Sequence, residues 1–127
     1  MSVFEYNFEQ YKSLSPDLYR KEKYNLQVEL LKLQEDVIKK KRKIAICFEG
    51  RDTAGKSSTI NFFSEHLIPS NFNYVHLGIP TKKERKNWFE RYETYLPNKG
   101  QIVLFDRSWY TRALTEPTLG YLSLIHI

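Results

Sequence analysis

Ile44-Ala45-Ile46-Cys47-Phe48-Glu49-Gly50-Arg51-Asp52-Thr53-Ala54-Gly55-Lys56-Ser57 decides the fold. Its first five residues form a continuous apolar, largely β-branched run, the pattern of a strand buried on both faces of a parallel sheet. Glycines and polar residues follow at once. From Ser57 to Leu67 apolar residues return at helical spacing through Ile60, Phe63 and Leu67, until Ile68-Pro69 ends them. The expected order is strand, glycine loop, helix. Within it, Gly50 to Ser57 satisfies G-x-x-x-x-G-K-[ST] at each fixed position. Successive backbone N–H groups in such a loop point inward beside the positive end of a helix, where they cradle phosphate. Gly50, Arg51, Thr53, Ala54, Gly55, Lys56 and Ser57 are therefore the expected phosphate-binding residues. Lys56 is the charge that reaches a transferring phosphate, and Ser57 offers a hydroxyl to Mg²⁺.

Downstream, Asn73 to Leu77 reads as a second strand, Lys82 to Leu96 as a helix closed by Pro97 and Gly100, and Ile102 to Phe105 as a third strand. Strands alternating with helices imply right-handed crossovers and an α/β fold, a parallel sheet with helices on both faces. Asp106, at the end of the third strand, is expected to face the loop and hold Mg²⁺ directly or through water. Asp52 is anomalous, because a carboxylate among phosphate-binding amides repels the ligand unless a cation or proton transfer compensates. It is expected to bind metal or orient an acceptor phosphate. Arg107 and Arg112 follow the acidic strand end and suit a travelling phosphoryl group, as arginine fingers do. Lys82 and Arg85 are further candidates for the same anion, weighed evenly against a solvated helix face. Trp88, Tyr92 and Tyr95 read as the buried stripe of their helix, and His66, His76 and His126 as structural.

Upstream, Leu26, Leu30, Leu33 and Val37 recur at spacings of three and four, with Leu31 and Ile38 beside them, so Glu22 to Lys40 is expected to be an amphipathic helix with that stripe facing the core. The basic run Lys39 to Lys43 reads as a solvated cluster offsetting the helix dipole. Before it, residues 1–21 read as an arm with a turn at Ser15-Pro16.

The 127 residues suit one domain, and 41% hydrophobic with 15% aromatic residues excludes a disordered chain. Twenty basic residues against fifteen acidic give a net charge of +5, which favours anionic partners. No apolar run approaches the ~20 residues of a spanning helix, and Met1 to Glu9 carries no basic residue, unlike a signal peptide. A cytoplasmic protein that avoids membranes is expected. The lone cysteine, Cys47, reads as a small buried hydrophobe.

Phe48 to Lys56, Pro80-Thr81 with Trp88-Phe89 and Arg91-Tyr92, Leu96-Pro97, and Ile102 through Arg112 together resemble the polyphosphate kinase 2 family across about residues 20–121. The run Phe105-Asp106-Arg107-Ser108-Trp109-Tyr110 is its most distinctive part. The resemblance implies a thymidylate-kinase-like P-loop fold and Mg²⁺-dependent transfer of a phosphoryl group between inorganic polyphosphate and a nucleotide, ADP or AMP, GDP or GMP. It implies catalytic roles for Asp52, Lys56, Asp106, Arg107 and Arg112, a metal-organising role for Asp52, Ser57 and Asp106, and a further acid at Glu116. It also implies a homo-oligomer at full length and makes nucleic acid an improbable partner. Family members often carry glycines where this chain has Ser57-Ser58. They also continue into further strands and a basic lid, so the sheet is expected to be incomplete at the C-terminus. Leu122 to Ile127 departs from the family pattern and matches what a transposon-end sequencing adaptor would encode. The expected organisation is thus an arm (1–21), a partial phosphotransferase core (22–121) and a non-native tail (122–127). Two other functions compete: an ATP-dependent kinase of the same fold, and a noncatalytic P-loop module that binds nucleic acid. Asp52, Asp106 and both arginines in one constellation favour catalysis.

Overall fold

A computed structural model describes residues 13–111. The first element, α1 (Pro16–Lys39), is started by Ser15, whose hydroxyl accepts the Leu18 N–H at 3.3 Å, with Pro16 in the first turn. Ser15-Pro16 is therefore a helix start, and the helix begins earlier than the apolar stripe alone indicates. At its other end Lys40 and Arg42 pair with Asp36 at 2.5 and 3.4 Å, so these members of the basic run are tied to the helix end.

There follow β1 (Lys43–Phe48), α2 (Lys56–Ser64), β2 (Phe72–Val75), two short helices α3 (Lys82–Lys86) and α4 (Glu90–Glu93), and β3 (Gln101–Asp106). The three strands form one parallel sheet in the order β1-β3-β2. Register runs from Lys43 opposite Gln101 to Phe48 opposite Asp106, and Val75 lies opposite Phe105. β3 is the central strand, and Ile102 through Phe105 are fully buried. β1 was expected to be buried on both faces. It lies at one side of the described sheet instead, so none of its residues is fully buried and Ala45 is exposed.

Side chains alternate along β3. Ile102 and Leu104 pack with Val37 of α1 and Ile60 of α2 on one face. Val103 and Phe105 pack with Val75 and Tyr92 on the other. Helices therefore cover both faces, as expected. The same alternation sends Asp106 to the Ile102–Leu104 side, the side of α2.

The expected stripe of α1 meets the core only in part: Val37 is buried as expected, and Leu30, Leu31 and Ile38 are half-buried. The buried residues of α1 are Gln27, Gln34 and Val37, whereas Leu26 is 64% exposed and Leu33 39%. Gln34 clamps the Ile68 backbone, donating to its carbonyl at 2.9 Å and accepting its N–H at 2.6 Å. Gln27 donates to the Phe62 carbonyl at 2.9 Å and to Glu65 at 2.7 Å. These amides serve backbone groups in and just after α2, among them the Ile68 carbonyl, which also accepts the Asn71 N–H at 3.1 Å.

The single helix expected over Lys82 to Leu96 is two. Thr81 and Glu84 form a capping box that starts α3, and Asn87, at φ −114°, ends it. Beyond the break, Tyr92, Phe105 and Trp109 meet edge to face at centroid distances of 5.6–6.4 Å. Tyr92 is buried as expected, but Trp88 is only half-buried and Tyr95 is 45% exposed.

Candidate active site

The loop between β1 and α2 closes through two left-handed residues, Thr53 (φ 64°) and Gly55 (φ 94°). Gly55 is the position where glycine is needed, because it forms the N-cap of α2 in that conformation. No side chain caps this helix, so its first-turn N–H groups remain for an anion. The Lys56 ammonium donates to the Gly50 and Arg51 carbonyls at 3.0 and 2.8 Å, folded back along its own loop. To reach a phosphate it must exchange these bonds for one to the ligand.

Asp52, Lys56, Ser57, Asp106 and Arg107 all line one concavity of about 310 Å³ at the carboxyl ends of the strands. Asp106 and Arg107 are thus brought beside Ser57 and Asp52, 49 and 55 positions earlier in the sequence. Asp106 is buried, with 3% exposure. Its Oδ2 accepts from the Ser57 hydroxyl at 3.0 Å and from the Tyr74 hydroxyl at 3.0 Å. Its Oδ1 is buried with no hydrogen-bond partner among the described residues. A buried carboxylate oxygen without a donor is costly unless something positive meets it. An oxygen-only set of one carboxylate and one hydroxyl, leaving room for phosphate and water, suits Mg²⁺. No group of three or more His, Cys, Asp and Glu able to hold a metal occurs among the described residues.

Asp52 does not stand alone among the amides. Its Oδ1 accepts from Arg107 Nη2 at 2.7 Å. Arg107 itself is left-handed, at φ 64°, and its N–H donates to the Phe48 carbonyl at 2.9 Å.

Lys82 and Arg85 lie on α3, and neither lines this concavity. Their neighbours Lys83 and Arg91 line a separate one of about 390 Å³ with Glu84, Glu90 and Tyr95. Arg112 and Glu116 fall outside the described residues. Two residues at the site were not singled out from the sequence. His76, read as structural, lines the concavity with Nδ1 3.5 Å from Asp106 Oδ2. Tyr74 anchors the same oxygen, and burial, reinforced by the Asp106 bond, raises its hydroxyl above the ordinary tyrosine value, keeping it a donor. Both lie on or just after β2, beside Asp106 only because β2 pairs with β3, an adjacency that no local pattern reveals.

The description "Polyphosphate kinase 2" matches residues 13–124. The chain is 50% identical over 104 residues to a GDP-polyphosphate phosphotransferase of Mycolicibacterium smegmatis, covering 81% of this chain and 37% of that one. It is 46% identical over 106 residues to a GDP-polyphosphate phosphotransferase of Pseudomonas aeruginosa, covering 83% and 30%. A crystal structure of a Pseudomonas aeruginosa protein described as polyphosphate kinase 2 superposes with a TM-score of 0.78 at 31% identity, over 88% of this chain and 24% of that one. The chain thus spans about a third of the length of the curated relatives it matches.

Proposed function

The chain belongs to the polyphosphate kinase 2 family, and from that premise we propose that it transfers a phosphoryl group between inorganic polyphosphate and a nucleoside mono- or diphosphate. The observation that carries this reading is the meeting of Lys56, Ser57, Asp106 and Arg107 around one concavity, with a buried Asp106 oxygen left for a cation. Phosphoryl transfer needs little covalent chemistry from a protein and is catalysed by positioning and charge stabilisation. In this reading the α2 N-terminus and Lys56 hold the phosphates, and Arg107 offsets charge on the group in flight. Asp106 and Ser57 would hold Mg²⁺, which neutralises charge across adjoining phosphates. Asp52, paired to Arg107, orients the acceptor side. In this reading the reaction is a cytoplasmic one, and the net charge of +5 favours a polyanionic substrate.

The test is turnover in ATP-free buffer with Mg²⁺, polyphosphate and GDP, GMP, ADP or AMP, with product nucleotides separated by chromatography. The chain is assayed alone and swapped into the matching third of the Mycolicibacterium smegmatis relative, each with Asp106→Ala beside it. Polyphosphate-dependent product that the substitution abolishes is the expected result. In a parallel arm with ATP in place of polyphosphate, product formed there and not with polyphosphate would replace the reading with an ATP-dependent kinase. Absence of turnover in both proteins, with steeply salt-dependent DNA binding, would replace it with a nucleic-acid module.

A further inference from the structure

Glu49 stands between the last residue of β1 and the first glycine of the phosphate loop, and the functional reading gives it no task. Its Oε1 accepts the Ser108 N–H at 2.8 Å and the Ser108 hydroxyl at 2.5 Å. Its Oε2 accepts the Thr111 hydroxyl at 3.1 Å. Ser108 is fully buried. Both oxygens of one carboxylate are therefore spent on the segment that follows β3. With the Arg107 N–H on the Phe48 carbonyl, two consecutive residues at the end of β1 take four hydrogen bonds from residues 107–111.

The segment needs holding. Arg107 adopts φ 64°, a left-handed conformation that a residue with a side chain keeps only where its surroundings determine it. The Arg107 side chain ends on Asp52 in the phosphate loop. The residues on either side of Arg107 are anchored: Asp106 by the sheet, Ser108 by Glu49.

We infer that Glu49 is a positioning residue, whose carboxylate holds the Ser108–Thr111 turn so that the Arg107 guanidinium is presented to the phosphate of the substrate. The inference rests on the functional reading above, in which Arg107 meets phosphate. An ionised carboxylate suits the task because it accepts on both oxygens, and its charge-assisted bonds are stronger than those of an amide. Glutamine keeps the length and one acceptor but turns the other end into a donor. Aspartate keeps the charge and loses the reach.

The experiment is a double-mutant cycle on the chain, with Mg²⁺-tripolyphosphate as the probe and calorimetry as the readout, using Glu49→Ala, Arg107→Ala and both together. The expected result is that each single change weakens binding about tenfold and that the pair weakens it no further, because both remove the same presented guanidinium. Glu49→Gln is expected to recover part of the loss and Glu49→Asp little of it. Losses that multiply to about a hundredfold, or a Glu49→Ala protein that binds as the parent does while melting earlier, would overturn the inference and leave Glu49 a fold residue. Should Glu49→Ala not fold, the same cycle is run with Glu49→Gln, where coupling to Arg107→Ala supports the inference and additivity overturns it. A parent chain that binds no tripolyphosphate would overturn the functional reading, and the inference with it.

Discussion

Arg107 reaches across 55 positions of sequence to place Nη2 2.7 Å from Asp52 Oδ1, joining the end of the central strand to the phosphate loop. The pair answers the anomaly of a carboxylate in an anion cradle. Asp52 is 91% exposed at its side chain and Arg107 only 16%. The cation is therefore the fixed partner, and Asp52 sits at the rim.

Removing either charge separates the two roles. With Asp52→Asn, repulsion of the ligand falls and the guanidinium is released to phosphate, so tripolyphosphate binding is expected to tighten about threefold at low salt. With Arg107→Ala, binding is expected to weaken about tenfold, since a charge-assisted bond is lost and Asp52 is left unopposed. Calorimetric titration of both variants decides it. Weaker binding in Asp52→Asn would mean that Asp52 itself organises the ligand.

Asp106 carries the converse signature, a buried group arranged for something other than stability. One oxygen is satisfied twice and the other has no hydrogen-bond partner among the described residues. Asp106→Asn is expected to abolish the part of tripolyphosphate binding that Mg²⁺ adds over EDTA. Its melting temperature should be no lower than the parent's, because a buried carboxylate with an unsatisfied oxygen is replaced by a neutral side chain. Calorimetry with and without Mg²⁺ and a thermal melt give the two readouts. A metal increment that survives the substitution would remove Asp106 from the metal site.

Cys47 reports on the same neighbourhood through pH. Burial pushes its thiol up, with the Glu49 carboxylate adding to the shift and a hydrogen bond with Ser108 opposing it. A folded-state pKa above the unfolded one favours the protonated form. The associated stability is thus present in full below about pH 8.5, the ordinary thiol value, and is lost as pH rises through the raised folded value. The thiolate is the nucleophile, so labelling by Ellman's reagent at pH 8 is expected to be at least about tenfold slower in the folded chain than in urea, converging as pH climbs. Equal rates at pH 8 would contradict the burial of this end of β1.

The parts legible from sequence were those in which chemistry and local order coincide. Gly50 to Ser57 names its own fold because the loop, the lysine and the helix start are contiguous, and Asp106 follows an apolar strand that parity alone aims toward α2. Tyr74, His76 and Glu49 were not singled out, since each acts on a residue distant in sequence through strand pairing or a turn. Nothing in the local pattern marks the break at Asn87, because aromatic residues continue at helical spacing past it. In α1 Val37 of the expected stripe is buried, but Leu26 and Leu33 of the same stripe are exposed, and the buried positions Gln27 and Gln34 are polar because they meet backbone groups.

That contrast is testable in α1 directly. Gln34 is fully buried and satisfies both the N–H and the carbonyl of Ile68. Gln34→Ala leaves the buried Ile68 N–H without its partner, strips the Ile68 carbonyl of one of its two donors and opens a cavity, so the chain is expected to lose about 2–4 kcal/mol. Leu26, 64% exposed, has little burial to lose, and alanine is the better helix former, so Leu26→Ala is expected to change stability by less than about 0.5 kcal/mol. Urea unfolding of the two variants followed by circular dichroism measures the difference. On the pattern of apolar residues alone the order would be opposite, with the leucine costing more. If the measured order is that one, α1 packs on its leucine face and the glutamine clamps do not hold α2 in place.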